Sequence, residues 1–303
     1  MKKLIRPLML VVPLCVGVFV PEAKVLAAPP VNFIRWALFV MIFLNLLQVK
    51  FADLKPCREH FLVLGVNILM GVVPFSLLML FPGNKLLAQS AFFTGIAPTA
   101  AAAAVIVSLL DGKVGFSVTG FVITNIGISC ALTGLLPVVT GNISWDFFLD
   151  VLYSLTMVIG LPLLLARVTR AVYPKILNYM GILKNISLVL WSMSLFIMAA
   201  IARSYYNENA GNSLRLILAM MVISLVICAA NFSIGALLSK RYRRECSQIT
   251  GQKNTTFVLF VALEYASGAA ALGTIFYVLF HNLWNSIQLF LHQRKNSDSA
   301  VRE

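Results

Sequence analysis

Charged side chains are scarce in this chain. Only 12% of its 303 residues are Asp, Glu, Lys or Arg, whereas 60% are hydrophobic. A soluble domain contains about 25% charged residues, so this composition excludes an ordinary soluble enzyme. A membrane-spanning helix needs about 20 residues, and a chain of this length accommodates roughly ten of them with short connections. The composition therefore predicts a single all-α polytopic membrane protein.

Histidine and cysteine are also scarce, with three and five residues. The cysteines form no Cys-x-x-Cys pair, and no His or Cys spacing typical of a metal site occurs. The sequence therefore predicts no metal site, no disulfide framework and no cofactor.

Ten apolar stretches are long enough to be read as membrane spans, and helices satisfy the backbone within each span. They lie near residues 8–20, 33–48, 60–81, 86–110, 115–138, 147–166, 185–202, 216–238, 248–266 and 270–291. The first stretch follows Lys2 and Lys3 and precedes small residues, which is also typical of a cleavable signal peptide. Cleavage would leave nine spans. Residues 296–303 are polar and predict a disordered cytoplasmic tail.

The 24 Lys and Arg residues are distributed unevenly between the two ends of these spans. Eighteen lie on one side and four on the other, while Arg35 and Lys253 lie within spans. Because cytoplasmic loops carry the excess of basic residues, both termini are predicted to be cytoplasmic. The basic residues behind the net charge of +13 are thus expected to set the orientation in the membrane and to contact anionic membrane lipid. This charge gives no reason to expect nucleic acid as a partner.

Ten spans divide into five plus five at the connection Thr140-Gly141-Asn142. Each half has an odd number of spans, so a duplicated unit would lie in opposite orientations. The predicted arrangement is one membrane domain of residues 1–295, with repeat one at about 1–140 and repeat two at about 141–295. Inverted repeats of this kind place the binding site at mid-membrane, where helices are interrupted. Spans four and nine should therefore be interrupted and cross there.

Span four contains a residue that interrupts helices. Pro98 removes one backbone donor and clashes with the preceding turn, so the helix should kink or break near Gly95–Pro98. A plain proline kink, with small residues for close helix packing, is the simpler alternative.

Span nine contains the unusual charge. Lys253 follows Arg244 by nine residues and Gly251 by two, so it could lie about 13 Å deeper than Arg244. An ionisable residue at that depth is a functional candidate by default. The alternative is that the lysine snorkels to the cytoplasmic surface.

These two segments resemble the bile acid:sodium symporter family. That family has a Pro-Gly-Gly-Thr-Ala-Ser-Asn stretch in span four and a Glu-Thr-Gly-x-Gln-Asn stretch in span nine. Without gaps, the first falls on 98–104 and the second on Ile249–Asn254. The resemblance implies a ten-helix inverted-repeat fold, two helices that cross at their breaks, and transport of organic anions. It also implies a divergent bacterial member in the inner membrane.

The departures from the family pattern concern the sodium ligands. The Ser-Asn pair is replaced by Ala103 and Ala104, the glutamate by Ile249, and the glutamine by Lys253. Sodium needs several oxygen ligands, by the logic that governs other hard cations. We therefore expect transport without sodium, with the Lys253 ammonium in place of the cation, either steadying the crossing or pairing with the anion. Because burial disfavours a charged amine, an alternative hypothesis is that Lys253 couples transport to protons.

The candidate residues for substrate binding and coupling are polar or break-forming. They are Pro98, Thr99, Ser117, Thr124, Asn125, Thr250, Gly251, Lys253, Asn254 and Thr255. Ser117 and Thr124 are seven apart and share a helix face. A single Ser or Thr is more often bonded to the carbonyl one turn earlier. The alternative function is a sensor or non-cycling binding protein on the same fold. An intramembrane enzyme is the least expected, since no span carries paired acids.

Overall fold

The computed structural model describes residues 12–13, 15–19, 30–208 and 213–300. Helices account for 86% of the structure, and the described residues include no β-strand. The predicted all-α class is confirmed. The predicted first span, near 8–20, and its signal-peptide alternative lie mostly outside the described residues.

Between residues 30 and 140, the structure describes five α-helices. They are α1 (Pro30–Leu47), α2 (Arg58–Met79), α3 (Lys85–Ile96), α4 (Ala102–Leu109) and α5 (Val114–Thr140). α5 ends at Gly141, whose φ of 81° is a left-handed conformation that glycine adopts without strain.

Seven α-helices lie in the described residues 145–208 and 213–300. They are α6 (Trp145–Leu155), α7 (Leu161–Val172), α8 (Met180–Glu208), α9 (Ser213–Leu237), α10 (Arg243–Gly251), α11 (Thr255–Tyr265) and α12 (Leu272–Ala300). A π-helical turn at Thr156–Gly160 joins α6 to α7. α12 continues through residues 296–300, which were predicted as disordered tail, because extending a formed helix needs no new nucleus. Residues 301–303 lie outside the described part of the chain.

Within the part of the chain that the structure describes, four helical segments are long and apolar enough to cross a membrane: Arg58–Met79, Val114–Thr140, Trp145–Val172 and Leu214–Leu237. A fifth candidate is the pair Pro174–Leu183 and Asn185–Ile201, bent by 46°. Large apolar side chains are exposed on the outer faces, such as Leu69 and Val222, at 56% and 55%. Exposed apolar surface of this kind marks contact with lipid. The chain is thus an all-α, membrane-embedded protein.

The core lies around α11. All six residues from Phe257 to Ala262 are at most 1% exposed, so this helix is enclosed on every side. Phe92, Phe93 and Ile96 of α3 belong to the same apolar cluster. The short helices α3 and α11 are therefore central to the fold, and longer helices surround them.

Candidate functional site

Two of the helical segments are interrupted. The first break separates α3, which ends at Ile96, from α4, which begins at Ala102. It contains Pro98, which cannot donate a backbone hydrogen bond. The second separates α10, which ends at Gly251, from α11, where the Asn254 side chain caps the new helix by accepting from the Phe257 amide at 3.2 Å.

The two breaks pair with each other. Thr99 and Lys253 form an isolated antiparallel bridge. The Ala100 amide donates to the Gln252 carbonyl at 2.8 Å, and the Asn254 amide donates to the Pro98 carbonyl at 2.7 Å. Backbone groups freed by one interruption are thus satisfied by the other, which buried polar groups require. We refer to residues 97–101 and 252–254 together as the crossing.

α5 holds the first break in place through two predicted site residues. Thr124 Oγ1 accepts from the Thr99 amide at 3.2 Å, and Asn125 Nδ2 donates to the Thr99 carbonyl at 3.0 Å. The Thr99 hydroxyl donates to the carbonyl of Ile249 in α10. The polar residues of α5 therefore position the crossing through Thr99.

Lys253 is buried, with 2% of its surface exposed. Its ammonium donates to Asn67 Oδ1 at 2.6 Å and to the Gly95 carbonyl at 2.9 Å. Among the described residues, no carboxylate lies within 4.0 Å of this group. Its partners are therefore two neutral oxygens, and the side chain does not snorkel to the surface.

The Gly95 carbonyl is available to Lys253 because of the break. In a continuous helix it would accept from the amide of residue 99, but the Thr99 amide donates to Thr124 instead. The Gly95 carbonyl belongs to the C-terminal turn of α3, where the helix dipole favours a positive charge. Gly95 also permits close packing, since an added Cβ would lie 1.8 Å from the Met70 carbonyl oxygen. That close approach brings α2, and with it Asn67, to the ammonium.

The four positions that align with sodium ligands of the bile acid:sodium symporter family, Ala103, Ala104, Ile249 and Lys253, carry no side-chain oxygen. Ala103 and Ile249 are fully buried in an apolar cluster with Val63 and Cys246. Ala104 lines a cavity next to the crossing. Lys253 supplies the only charge at these four positions.

A cavity of about 720 Å³ adjoins the crossing. It lies between α1, α4, α5, α8, α12 and the second break. Its polar lining comprises Asn45, Gln48, Ser108, Ser187, Gln252, Lys253, Asn254, Thr255, His281 and Asn282. Its larger apolar lining residues are Met41, Ile42, Phe121, Leu188 and Trp191. No Asp or Glu is among the described residues that line it.

The candidate residues divide into two groups. Lys253, Asn254 and Thr255 line the cavity. The remaining candidates do not line it: Pro98, Thr99, Ser117, Thr124, Asn125, Thr250 and Gly251.

Three of the residues outside the cavity have local structural roles or no partner. The Thr250 hydroxyl donates to the Cys246 carbonyl one turn earlier, at 2.8 Å. The Gly251 carbonyl accepts from the Tyr277 hydroxyl at 2.7 Å. The Ser117 hydroxyl is buried and has no hydrogen-bond partner in the described part of the chain.

Sequence reasoning missed one polar residue of the site, Asn67, and left another, the lone histidine His281 of the last apolar stretch, outside the candidate set. Asn67 is the side-chain partner of Lys253, and a lone amide in the apolar stretch of residues 60–81 was the available signal. His281 lines the cavity, and its Nδ1 is buried without a hydrogen-bond partner among the described residues. An imidazole nitrogen of this kind is free to bind a ligand.

Comparison with known proteins adds no assignment: no protein-family model matches the chain, and no curated protein matches it. The functional argument therefore depends on the residues and contacts of the crossing and the cavity.

Proposed function

We propose that the chain is a secondary transporter of an organic anion that works by alternating access without sodium. The observation that carries this proposal is the buried Lys253 ammonium, held by Asn67 and the Gly95 carbonyl at the crossing of two interrupted helices. A fixed positive charge at this point takes the role that a bound cation has in the bile acid:sodium symporter family, which the chain resembles.

The proposed fold has ten spans in two inverted repeats of five helices. The helices from α1 to α12 follow the second to tenth predicted spans in order. In this order, the interrupted pairs α3–α4 and α10–α11 fall at spans four and nine. That is the pairing expected if each repeat contributes one broken helix at mid-membrane.

Sodium independence is supported by the side chains at the four former ligand positions. Three of them, Ala103, Ala104 and Ile249, offer no side-chain oxygen, whereas a hard cation needs several to replace its water. The ammonium of Lys253, although this residue lines the cavity, is held by Asn67 and the Gly95 carbonyl. In this conformation we infer that it steadies the crossing, while the anion binds at other groups.

The cavity supports an inward-open state. Its lining includes Gln48 after the end of α1, Ser108 in the last turn of α4 and Val114 at the start of α5. All three positions face the predicted cytoplasmic side, where we propose that both termini lie, in a bacterial inner membrane. On the opposite side, Arg35 forms an ion pair with Glu264, and the Tyr265 hydroxyl donates to the Asp150 carbonyl at 3.4 Å. These contacts close the outer face.

The lining favours an organic anion. Ligand pockets measure about 300 to 1,000 Å³ and combine apolar walls with a few polar groups, as this cavity does. Asn45, Asn282 and His281 provide nitrogen donors, and no described lining residue is acidic. The Arg170 guanidinium donates to the carbonyls of Leu47 and Val49 at 3.0 and 3.1 Å, so a cation lies beside the cavity wall.

Uptake into proteoliposomes tests the proposal. The full chain is assayed with labelled taurocholate and labelled pyruvate, an amphipathic and a small anion, in sodium-free and sodium-containing medium. We expect uptake of at least one anion at equal rates in both media. Strict dependence on sodium would contradict the proposal. Binding of an anion with no uptake or counterflow would indicate the alternative, a sensor or non-cycling binding protein.

The coupling ion is tested in the same vesicles. An imposed pH gradient should drive uphill uptake if Lys253 exchanges a proton with one side of the membrane. Lys253→Gln would then abolish the response to the gradient, while Lys240→Gln, at an exposed loop position, would keep it. If uptake by the native chain does not respond to the pH gradient, Lys253 does not couple transport to protons. Its charge then replaces the cation in a structural role only.

A further inference from the structure

Two connections that are distant in sequence meet at the predicted cytoplasmic end of the protein. The Tyr242 ring, between α9 and α10, stacks on Phe116 of α5, with 4.3 Å between ring centroids. Lys113 Nζ, from the connection between α4 and α5, lies 5.0 Å from the Tyr242 ring centroid. The Arg241 guanidinium carbon lies 5.1 Å from the same centroid. We refer to Lys113, Arg241 and Tyr242 as the Tyr242 site.

The two cations of this site are not neutralised by the protein. Neither has a carboxylate within 4.0 Å among the described residues. The nearby Glu245 carboxylate is buried and accepts from the Lys113 backbone amide at 2.7 Å instead. Both cations approach one ring, so they lie within about one Debye length at 0.1 M salt and repel each other. An anion bound between them would relieve that repulsion.

The helices that lead to the site carry exposed apolar side chains. Leu237, at the end of α9, is 78% exposed, and Phe61, in the first turn of α2, is 58% exposed. Tyrosine and basic residues next to apolar surface are typical of the membrane–water boundary. The structure thus places two free cations where lipid acyl chains end and headgroups begin.

We propose that the Tyr242 site binds the phosphate headgroup of an anionic phospholipid. The phosphate lies between Lys113 and Arg241, and the acyl chains follow the apolar surface that includes Leu237. Basic pockets at the cytoplasmic ends of membrane helices bind anionic headgroups in this way. Free inorganic phosphate lacks the apolar part, so it would use only half of the site. The proposal requires that the chain is membrane-embedded and does not depend on its transport activity.

Lipid titration of the full chain in detergent tests this proposal. Native mass spectrometry measures the apparent Kd for dioctanoyl phosphatidylglycerol, dioctanoyl phosphatidylcholine and inorganic phosphate. The double variant Lys113→Gln/Arg241→Gln should bind phosphatidylglycerol about 30-fold more weakly, since each basic residue near an anionic surface contributes roughly a fivefold factor. The double variant Arg167→Gln/Lys175→Gln, with the same charge loss at exposed positions on the same predicted face, is the control. It should bind like the native chain.

Two ring variants keep the proposal testable if the charge variant fails to fold. Tyr242→Phe retains the aromatic face and should bind phosphatidylglycerol like the native chain, whereas Tyr242→Ala should weaken binding. The proposal is overturned if the control loses as much affinity as the Lys113 and Arg241 variant, if inorganic phosphate binds as tightly as phosphatidylglycerol, or if phosphatidylcholine binds equally well.

Discussion

Lys253 and Gly95 are 158 residues apart in sequence, yet the lysine ammonium donates to the glycine carbonyl at 2.9 Å. The contact joins the second interrupted segment to the C-terminal turn of α3. Since the last carbonyls of a helix are unsatisfied and partly negative, the ammonium supplies both a donor and a compensating charge. The lysine thus stabilises the crossing without an acidic partner among the described residues.

Removing the lysine side chain should create a site for a small cation. Lys253→Ala leaves Asn67 Oδ1 and the Gly95 carbonyl facing the space of the former ammonium. Ammonium or methylammonium should stabilise this variant saturably, by about 2.7 kcal/mol at 100 times the dissociation constant, as measured by thermal unfolding in detergent. Choline is too large and should have no effect. An equal response of the native chain to ammonium would contradict the assignment.

Asn67 should couple to Lys253. Asn67→Leu removes an acceptor from a buried ammonium and should lower the free energy of unfolding by about 1.5–3 kcal/mol. In a Lys253→Met background the same change should cost much less, which a double-mutant cycle measures. Asn67→Asp keeps an oxygen acceptor and should retain most of the stability. Additive effects of the Asn67 and Lys253 changes would show that the two residues do not interact.

Reducing the cavity should prevent anion binding without unfolding the protein. Ala104 lines the cavity, and Ala104→Phe adds a ring to its wall. We expect loss of ligand-induced thermal stabilisation in a screen of small and amphipathic anions. The control Ala52→Phe, at an exposed position outside the lining, should respond like the native chain. Unchanged ligand responses in Ala104→Phe would place the ligand elsewhere.

In the proposed orientation, the ion pair between Arg35 and Glu264 should help to keep the outer face closed. Its side chains are 38% and 19% exposed, so the pair contributes up to about 1 kcal/mol. Arg35→Glu or Glu264→Arg should therefore increase the outward-open population several-fold, and the double exchange should restore it. Labelling of an engineered cysteine at Ala262, which is buried in α11, measures the opening. Equal labelling in all variants would show that the pair does not close this face.

Cys57 provides a test of orientation. It precedes α2 on the predicted cytoplasmic side, and burial together with the neighbouring Glu59 raises the pKa of its thiol. Because the thiolate is the reactive form, labelling by an impermeant maleimide should be slow at neutral pH and faster as the pH rises. It should require access from the cytoplasm, in inverted vesicles. Labelling of Cys57 in intact cells would show that the orientation is opposite to the proposed one.

Part of the site followed directly from residue types. Pro98 predicted the first interruption, and Gly251 with the polar residues around it predicted the second. Both predictions depend on local backbone chemistry, which is determined by residue type alone. The cavity lining was less predictable: Asn254 and Thr255 line it, whereas Thr250 bonds its own helix. Which face of a short helix meets a cavity depends on the helices packed around it.

The sequence by itself determined the membrane class, the all-α fold and the two break-forming segments, because composition and proline chemistry act locally. Only the tertiary structure decided what Lys253 contacts. Asn67 lies 186 residues away, and its approach depends on the close packing of α2 against Gly95. It likewise decided that α1, α8 and α12 supply the cavity walls. Such partners are set by how helices pack in three dimensions, which local sequence patterns do not specify.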